Sequence, residues 1–265
     1  MANTNTSGSA NKLHLPVLGL GQTLRKDAWW LGPAVTVAIL LGFIVYATFR
    51  AFENNWYEHD AYLSPFYSPF IDTAFTKGWG LPFVISPAML ILAGPASFRF
   101  TCYYYRKAYY RAFAMDPPAC AVGERSAHKY NGETRLLIFQ NLHRFAMYAA
   151  IVFLLFLWHD AYKGFFAWHE GGMHMGVGSL VLLANCLLLS GYTFGCHSFR
   201  HLIGGSVNSY STAPLGMLRY GIWQLVSKLN GRHMAWAWSS LFGVALTDVY
   251  VRAVASGMIH DVRFF

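Results

Sequence analysis

Apolar residues run in five long blocks along the chain: Trp29–Phe49, Leu81–Phe98, Leu136–Trp158, Met175–Cys196 and Met234–Val254. Shorter polar stretches separate them and carry most of the charge. A helix needs roughly 20 residues to cross about 30 Å of hydrocarbon, and each block approaches or meets that length. The pattern predicts an all-α integral membrane bundle of five transmembrane helices. Residues 1–28 form a cytoplasmic, partly disordered N-terminal segment, and 29–265 a single five-helix membrane domain. The third block carries Gln140-Asn141 and His143-Arg144 near its start, and polar groups inside a span are costly unless they have partners or a task. Pro87 and Gly94-Pro95 interrupt the second block, and Asp248 lies inside the fifth. Broken helices and mid-membrane charge are transporter features, so a membrane transporter stands as the remote alternative.

Composition supports a membrane protein. The chain has 265 residues, 55% of them hydrophobic and 12% charged, against about 25% charged in an average soluble domain. Met1–Ala10 is rich in Ser, Thr and Asn without an apolar core, unlike a signal peptide. Charge sets the orientation. Segments 1–29, 99–144 and 197–232 hold 15 of the 20 Lys and Arg residues, whereas Glu53, Glu58, Asp60, Asp72, Asp160, Glu170 and Asp261 gather on the other side. The positive-inside rule therefore places the N-terminus in the cytoplasm and the C-terminus outside, in a multi-pass protein of a bacterial-type inner (plasma) membrane. The net charge of +8 reports topology and offers a docking surface. No basic run stands clear of the membrane flanks, so nucleic acid is not an expected partner.

The remaining chemistry lies in cysteine and histidine. Cys102, Cys120 and Cys196 fall at the cytoplasmic face, where thiols stay reduced; Cys186 lies mid-span and reads as a small apolar residue. His143 opens the third span, His197 and His201 close the fourth one turn apart, and His233 opens the fifth. A short hairpin makes the third and fourth spans antiparallel neighbours, so His143 can meet His197 or His201. Two Cys and two His suit a Rieske-type [2Fe-2S] cluster, or a structural zinc; a site without metal is the third reading.

The strings Gln140-Asn141-Leu142-His143-Arg144 and Cys196-His197-Ser198-Phe199-Arg200-His201-Leu202 resemble the His-Arg and Arg-His pairs of the membrane-anchor (cytochrome b-like) subunit of complex II. Complex II is succinate:quinone oxidoreductase or fumarate reductase. The resemblance implies a five-helix anchor for an iron–sulfur subunit and a flavoprotein subunit, open to a higher oligomer of the whole complex. The substrate of the anchor would be menaquinone or ubiquinone. Anchors of this family often hold haem b, and di-haem forms need four His. Here the levels would be His143 with His197 or His201, and His159 with His174. At 1.5 Å per residue, His143 to His159 spans about 24 Å and His174 to His197 about 34 Å, so the levels match poorly. In haem-bearing anchors the axial His lies seven residues before the His of the Arg-His pair. That position is Phe194 here, with Ser198 for the family's Gly and Gln140 for its Ser. The chain is thus identified as a form lacking the usual haem ligand, and haem b is the alternative cofactor.

For a cluster, Cys102 and Cys120 are the expected thiolates, with His143 and His201 as imidazoles because in similar anchors those histidines lie near the haem propionates. His197, His233 and Cys196 are the reserves. Arg144 offers a fixed positive charge to a quinol anion, Gln140 a hydrogen bond to a quinone carbonyl one turn away, and Trp223 and the tyrosines of Tyr103–Tyr110 an aromatic wall. No dinucleotide loop such as G-x-G-x-x-G is present, so flavin and succinate chemistry belongs to another chain. The expected role is to pass electrons from succinate oxidation to quinone, in the tricarboxylic acid cycle and respiratory chain.

Overall fold

A computed structural model describes residues 23–78, 86–113, 136–166, 173–205 and 207–264. The chain divides into two compact units, Met1–Ile39 with Lys107–Thr134, and Leu40–Arg106 with Arg135–Phe265. All the sites considered below lie in the second.

Helix α1 covers Leu31–Glu53 and leads into a hairpin of β1 (Glu58–His59) and β2 (Tyr62–Leu63). A short α2, Thr73–Lys77, starts where the Asp72 side chain accepts from Ala74 N. Helix α3, Pro87–Thr101, has Ser86 as its N-cap and Pro87 in the first turn, where a missing N–H costs nothing. It stops at Cys102, which is extended (φ −63°, ψ 125°), and α4 resumes at Tyr103–Phe113. Helix α5, Leu136–Phe166, has 31 residues, about 46 Å at 1.5 Å each. Being longer than the hydrocarbon, it can carry the polar Gln140–Arg144 stretch at its end. Helix α6 is Val177–Phe194, α7 is His197–Arg200, and a π-helical turn follows at His201–Gly205. Helices α8 (Gly216–Gly231) and α9 (His233–Ala255) complete the chain.

Among the described residues three helices, α1, α5 and α6, are long and apolar enough to cross a membrane. The predicted second span coincides with α3 only from residue 87, because 79–85 lie outside the described residues. The predicted fifth span coincides with α9. In the second unit α6 packs on α9, α3 on α5 and α5 on α6.

Small residues permit that packing. A Cβ on Gly178 would stand 2.4 Å from the Tyr62 ring, and one on Gly191 2.5 Å from the Trp236 ring. Tyr62 enters a core of Ala161, Leu182, Cys186 and Val251. Its hydroxyl donates to Asp261 Oδ2 at 2.7 Å. Burial, reinforced by that carboxylate, pushes the phenol up to about 12. Asp261 also accepts from Gly178 N at 3.0 Å and from the Tyr250 hydroxyl at 2.5 Å, which ties the C-terminal segment to α6.

Asp248, the interior charge of the fifth block, is fully buried and paired. Arg252 Nε lies 2.9 and 3.0 Å from its two oxygens. The Tyr46 hydroxyl donates to it at 2.5 Å, as does the Ser64 hydroxyl. Arg252 Nη1 reaches Glu53 Oε2 at 3.0 Å, and Arg50 meets the same carboxylate at 2.6 Å. The group fastens α1, the hairpin loop and α9 to one another. A carboxylate so fully bonded has structural work, which removes the main support for a transporter.

Candidate functional site

Helix ends bring two thiols and two imidazoles together at the opposite end of the bundle from Asp248. The break between α3 and α4 turns the Cys102 side chain inward, where its Sγ lies 3.6 Å from His233 Nε2. Cys196 caps α7, accepting from Ser198 N, and its Sγ lies 3.0 Å from His143 Nε2. Cys102, Cys196 and His143 are buried, and His233 is half-buried.

The two pairs share a scaffold. Thr101 donates its hydroxyl proton to Ser97 O at 2.7 Å, so at 2.9 Å from His143 Nδ1 it acts as acceptor. Nδ1 therefore carries the imidazole proton, and Nε2 presents a lone pair toward Cys196. Thr101 adjoins Cys102, so consecutive residues hold the two pairs. Phe98 lies parallel to the His143 ring at 4.8 Å, and Tyr192 to the His233 ring at 5.1 Å. Phe98 and Tyr192 touch edge to face at 5.2 Å. Behind them Arg99 donates to the Tyr105 hydroxyl at 2.7 Å, Ala237 O at 3.2 Å and Ser240 Oγ at 2.9 Å. Its guanidinium lies 4.7 Å from the Tyr192 ring centre.

Two buried polar atoms of the group, His233 Nδ1 and the Tyr192 hydroxyl, have no nitrogen or oxygen hydrogen-bond partner among the described residues. Such atoms are costly unless water or another group satisfies them. Among the described residues no three His, Cys, Asp or Glu side chains converge on one point to hold a single metal ion. Two separate Cys–His pairs suit tetrahedral zinc badly, since its four ligands share one ion.

Of the expected metal ligands, Cys102 and His143 lie in this group. Cys196 and His233, the reserves, complete it. His201 is exposed on the π-helical turn, with Nδ1 3.4 Å from Arg144 Nη2, and His197 is exposed at the start of α7. Cys120 lies outside the described residues. Of the expected quinone residues, two have described side chains. Arg144 is exposed beside His201. Trp223 on α8 is half-buried, 5.0 Å from the Arg200 guanidinium and stacked on Tyr220 at 6.2 Å. Gln140 lies in α5, its side chain outside the described set. Sequence reasoning missed Thr101, Phe98, Arg99 and Tyr192. Only Tyr192 left a signal, a polar aromatic one helical turn before Cys196.

Residues 31–257 match the sequence model of a family described as actinobacterial succinate dehydrogenase subunit SdhC. Among solved structures the chain is similar to one in the Mycobacterium smegmatis Sdh1 complex in the apo form. Identity is 46%, with 92% of this chain and 94% of that chain covered and a TM-score of 0.78. No curated protein sequence matches it.

Proposed function

Because the chain belongs to the family of actinobacterial succinate dehydrogenase SdhC subunits, a multi-pass membrane anchor of complex II, we propose that it relays electrons through its Cys–His group to a membrane quinone. The observation that carries this reading is the pairing of Cys196 with His143 and of Cys102 with His233, at 3.0 and 3.6 Å. The proposed cofactor is a Rieske-type [2Fe-2S] cluster, with Cys102 and Cys196 as thiolates and His143 and His233 as imidazoles. When bound, it would supply one-electron transfer at a potential raised by its two imidazoles.

The chain's own residues prepare that site. Thr101 fixes the His143 tautomer, the kind of outer support that orients a ligating imidazole. Phe98 and Tyr192 hold the two rings in plane, and burial of both thiols keeps water from them. The Arg99 guanidinium adds fixed positive charge. With Phe194 at the family's axial position, and Nε2 of His143 facing a thiol, the residues favour a cluster over haem b.

The proposed topology has five spans, α3 and α9 joining the three apolar helices, with the N-terminus in the cytoplasm. Arg144, Arg200, Arg219, Lys228 and Arg232 then lie on the cytoplasmic side with the Cys–His group. That basic face would dock the iron–sulfur subunit, itself joined to the flavoprotein subunit. A menaquinone or ubiquinone is proposed beside Arg144, Gln140 and Trp223.

Metal analysis of the purified complex tests the cofactor. In the wild type, iron and acid-labile sulfide should exceed those of a Cys102→Ser/Cys196→Ser complex by about two atoms each, the content of a [2Fe-2S] centre. Pyridine extracts should lack stoichiometric haem b. Equal iron in both proteins, zinc in place of iron, or one haem b per complex would refute the assignment.

A further inference from the structure

The last turn of α8 is fixed to the end of a membrane helix. Asn230 Nδ2 donates to Gly195 O at 2.8 Å, and Gly195 caps α6, which is long and apolar enough to cross the bilayer. Only Arg232 separates α8 from α9. Helix α8 packs on α7, on the π-helical turn and on α6, rather than folding back along α9. Its 16 residues therefore extend about 24 Å from the level at which α6 ends.

At about 100° per residue, the side chains of α8 sort into three sectors. Arg219, Trp223, Val226 and Asn230 face the protein: Arg219 Nη2 donates to Ile203 O at 2.8 Å, Trp223 meets the Arg200 guanidinium and Val226 is buried. The N-cap Leu215 with Leu218, Ile222 and Leu225 forms a second sector, exposed by 74%, 59%, 37% and 59%. Tyr220, Gln224 and Lys228 lie in the third and are also exposed, with Met217 the apolar exception among them. Protein on one flank, an apolar stripe on the second and polar groups on the third is the pattern of a helix lying flat in an interface, with hydrocarbon beneath and water above.

Leu215 supports this independently. It adopts the left-handed conformation (φ 53°, ψ 33°), unfavourable for a residue with a Cβ, yet its side chain gains little cover from the protein. Strain of this kind persists where the surroundings compensate it, and hydrocarbon would bury that side chain. Charge identifies the surface. No Asp or Glu occurs between Glu170 and Asp248, whereas Arg200, Arg219, Lys228 and Arg232 do. Lys228 and Arg232 are exposed, and basic groups beside an apolar stripe attract anionic lipid.

We infer that α8 lies in the headgroup layer of the membrane, with Leu215, Leu218, Ile222 and Leu225 in the acyl boundary and Lys228 and Arg232 against anionic phospholipid headgroups. Those two cations are then the lipid-facing edge of the basic face proposed for docking. Asn230 bonds the residue before Cys196, and Arg232 precedes His233, so the bound helix holds both at a fixed depth.

The test uses the purified complex in nanodiscs of phosphatidylcholine with phosphatidylglycerol. Nitroxides are attached in separate Leu218→Cys, Ile222→Cys and Gln224→Cys variants. Labelled wild type gives the background from native thiols, and co-elution of the soluble subunits controls for assembly. Oxygen, which partitions into lipid, should relax the labels at Leu218 and Ile222 more than a water-soluble nickel chelate does, and the order should reverse at Gln224. In phosphatidylcholine alone, or with Lys228→Gln/Arg232→Gln, the surface-bound state should weaken by roughly five-fold per charge silenced, read as a lower oxygen-to-nickel ratio on the stripe. Nickel access at Leu218 and Ile222 equal to that at Gln224 would overturn the proposal, as the mark of a helix in water. Exclusion of both reagents would overturn it too, as the mark of a stripe covered by a soluble subunit. A ratio unmoved by neutral lipid and by the double substitution would overturn the assignment to anionic headgroups.

Discussion

At the scale of single residues, the candidate site depends on which side chains the helix ends turn inward. His143 and Cys102 were legible from type and position. Cys196 and His233 were legible as reserves, since Cys196 ends the fourth apolar block and His233 immediately precedes the fifth. What the sequence could not reveal was the extended break at Cys102 and the capping geometry of Cys196. Those two local features decide which thiols point inward, and the π-helical turn leaves His201 exposed beside Arg144. Thr101 offers a test of this arrangement. Removing its hydroxyl takes away the side-chain acceptor of a buried imidazole N–H, at a cost of roughly 1–3 kcal/mol. Thr101→Val should lower the melting temperature of the complex and loosen the His143 ring. A variant as stable as wild type, with unchanged metal content, would show that this hydrogen bond is dispensable.

At the scale of elements, the long apolar helices follow directly from hydrophobic runs, because nothing else satisfies backbone groups in hydrocarbon. The small elements were less legible. Helix α8 carries Met217, Leu218, Ile222 and Leu225 on an exposed side, so its apolar residues are too few for a span and read as part of a basic loop. Close approach of α6 and α9 depends on Gly191, where a Cβ would meet the Trp236 ring at 2.5 Å. Small residues at such crossings let helix backbones come together. Gly191→Leu should therefore destabilise the subunit by about 1–3 kcal/mol and disturb Tyr192 and His233, its neighbours in the site. A thermal melt unchanged by this substitution would contradict that packing. The ion pair between α9 residues has a sharper expectation. Arg252→Ala would strand a buried carboxylate, which typically costs about 3–5 kcal/mol. The double change Arg252→Met/Asp248→Leu should recover much of that loss. Unfolding measured by the same melt for both proteins separates the two.

At the scale of the whole molecule, five apolar blocks and an asymmetric distribution of Lys and Arg indicated an oriented multi-pass membrane protein before any comparison did. The short His-Arg strings indicated complex II, and the family match over residues 31–257 agrees. The cofactor was less legible because it depends on four residues spread from 102 to 233, which only the assembled bundle brings to one end. Its nature is the central claim. The most direct measurement is pulsed EPR of the reduced complex carrying ¹⁵N-labelled histidine. A signal of low average g coupled to two imidazole nitrogens is expected, lost in His143→Gln and in His233→Gln. A signal without nitrogen coupling, or one that survives both substitutions, would contradict it.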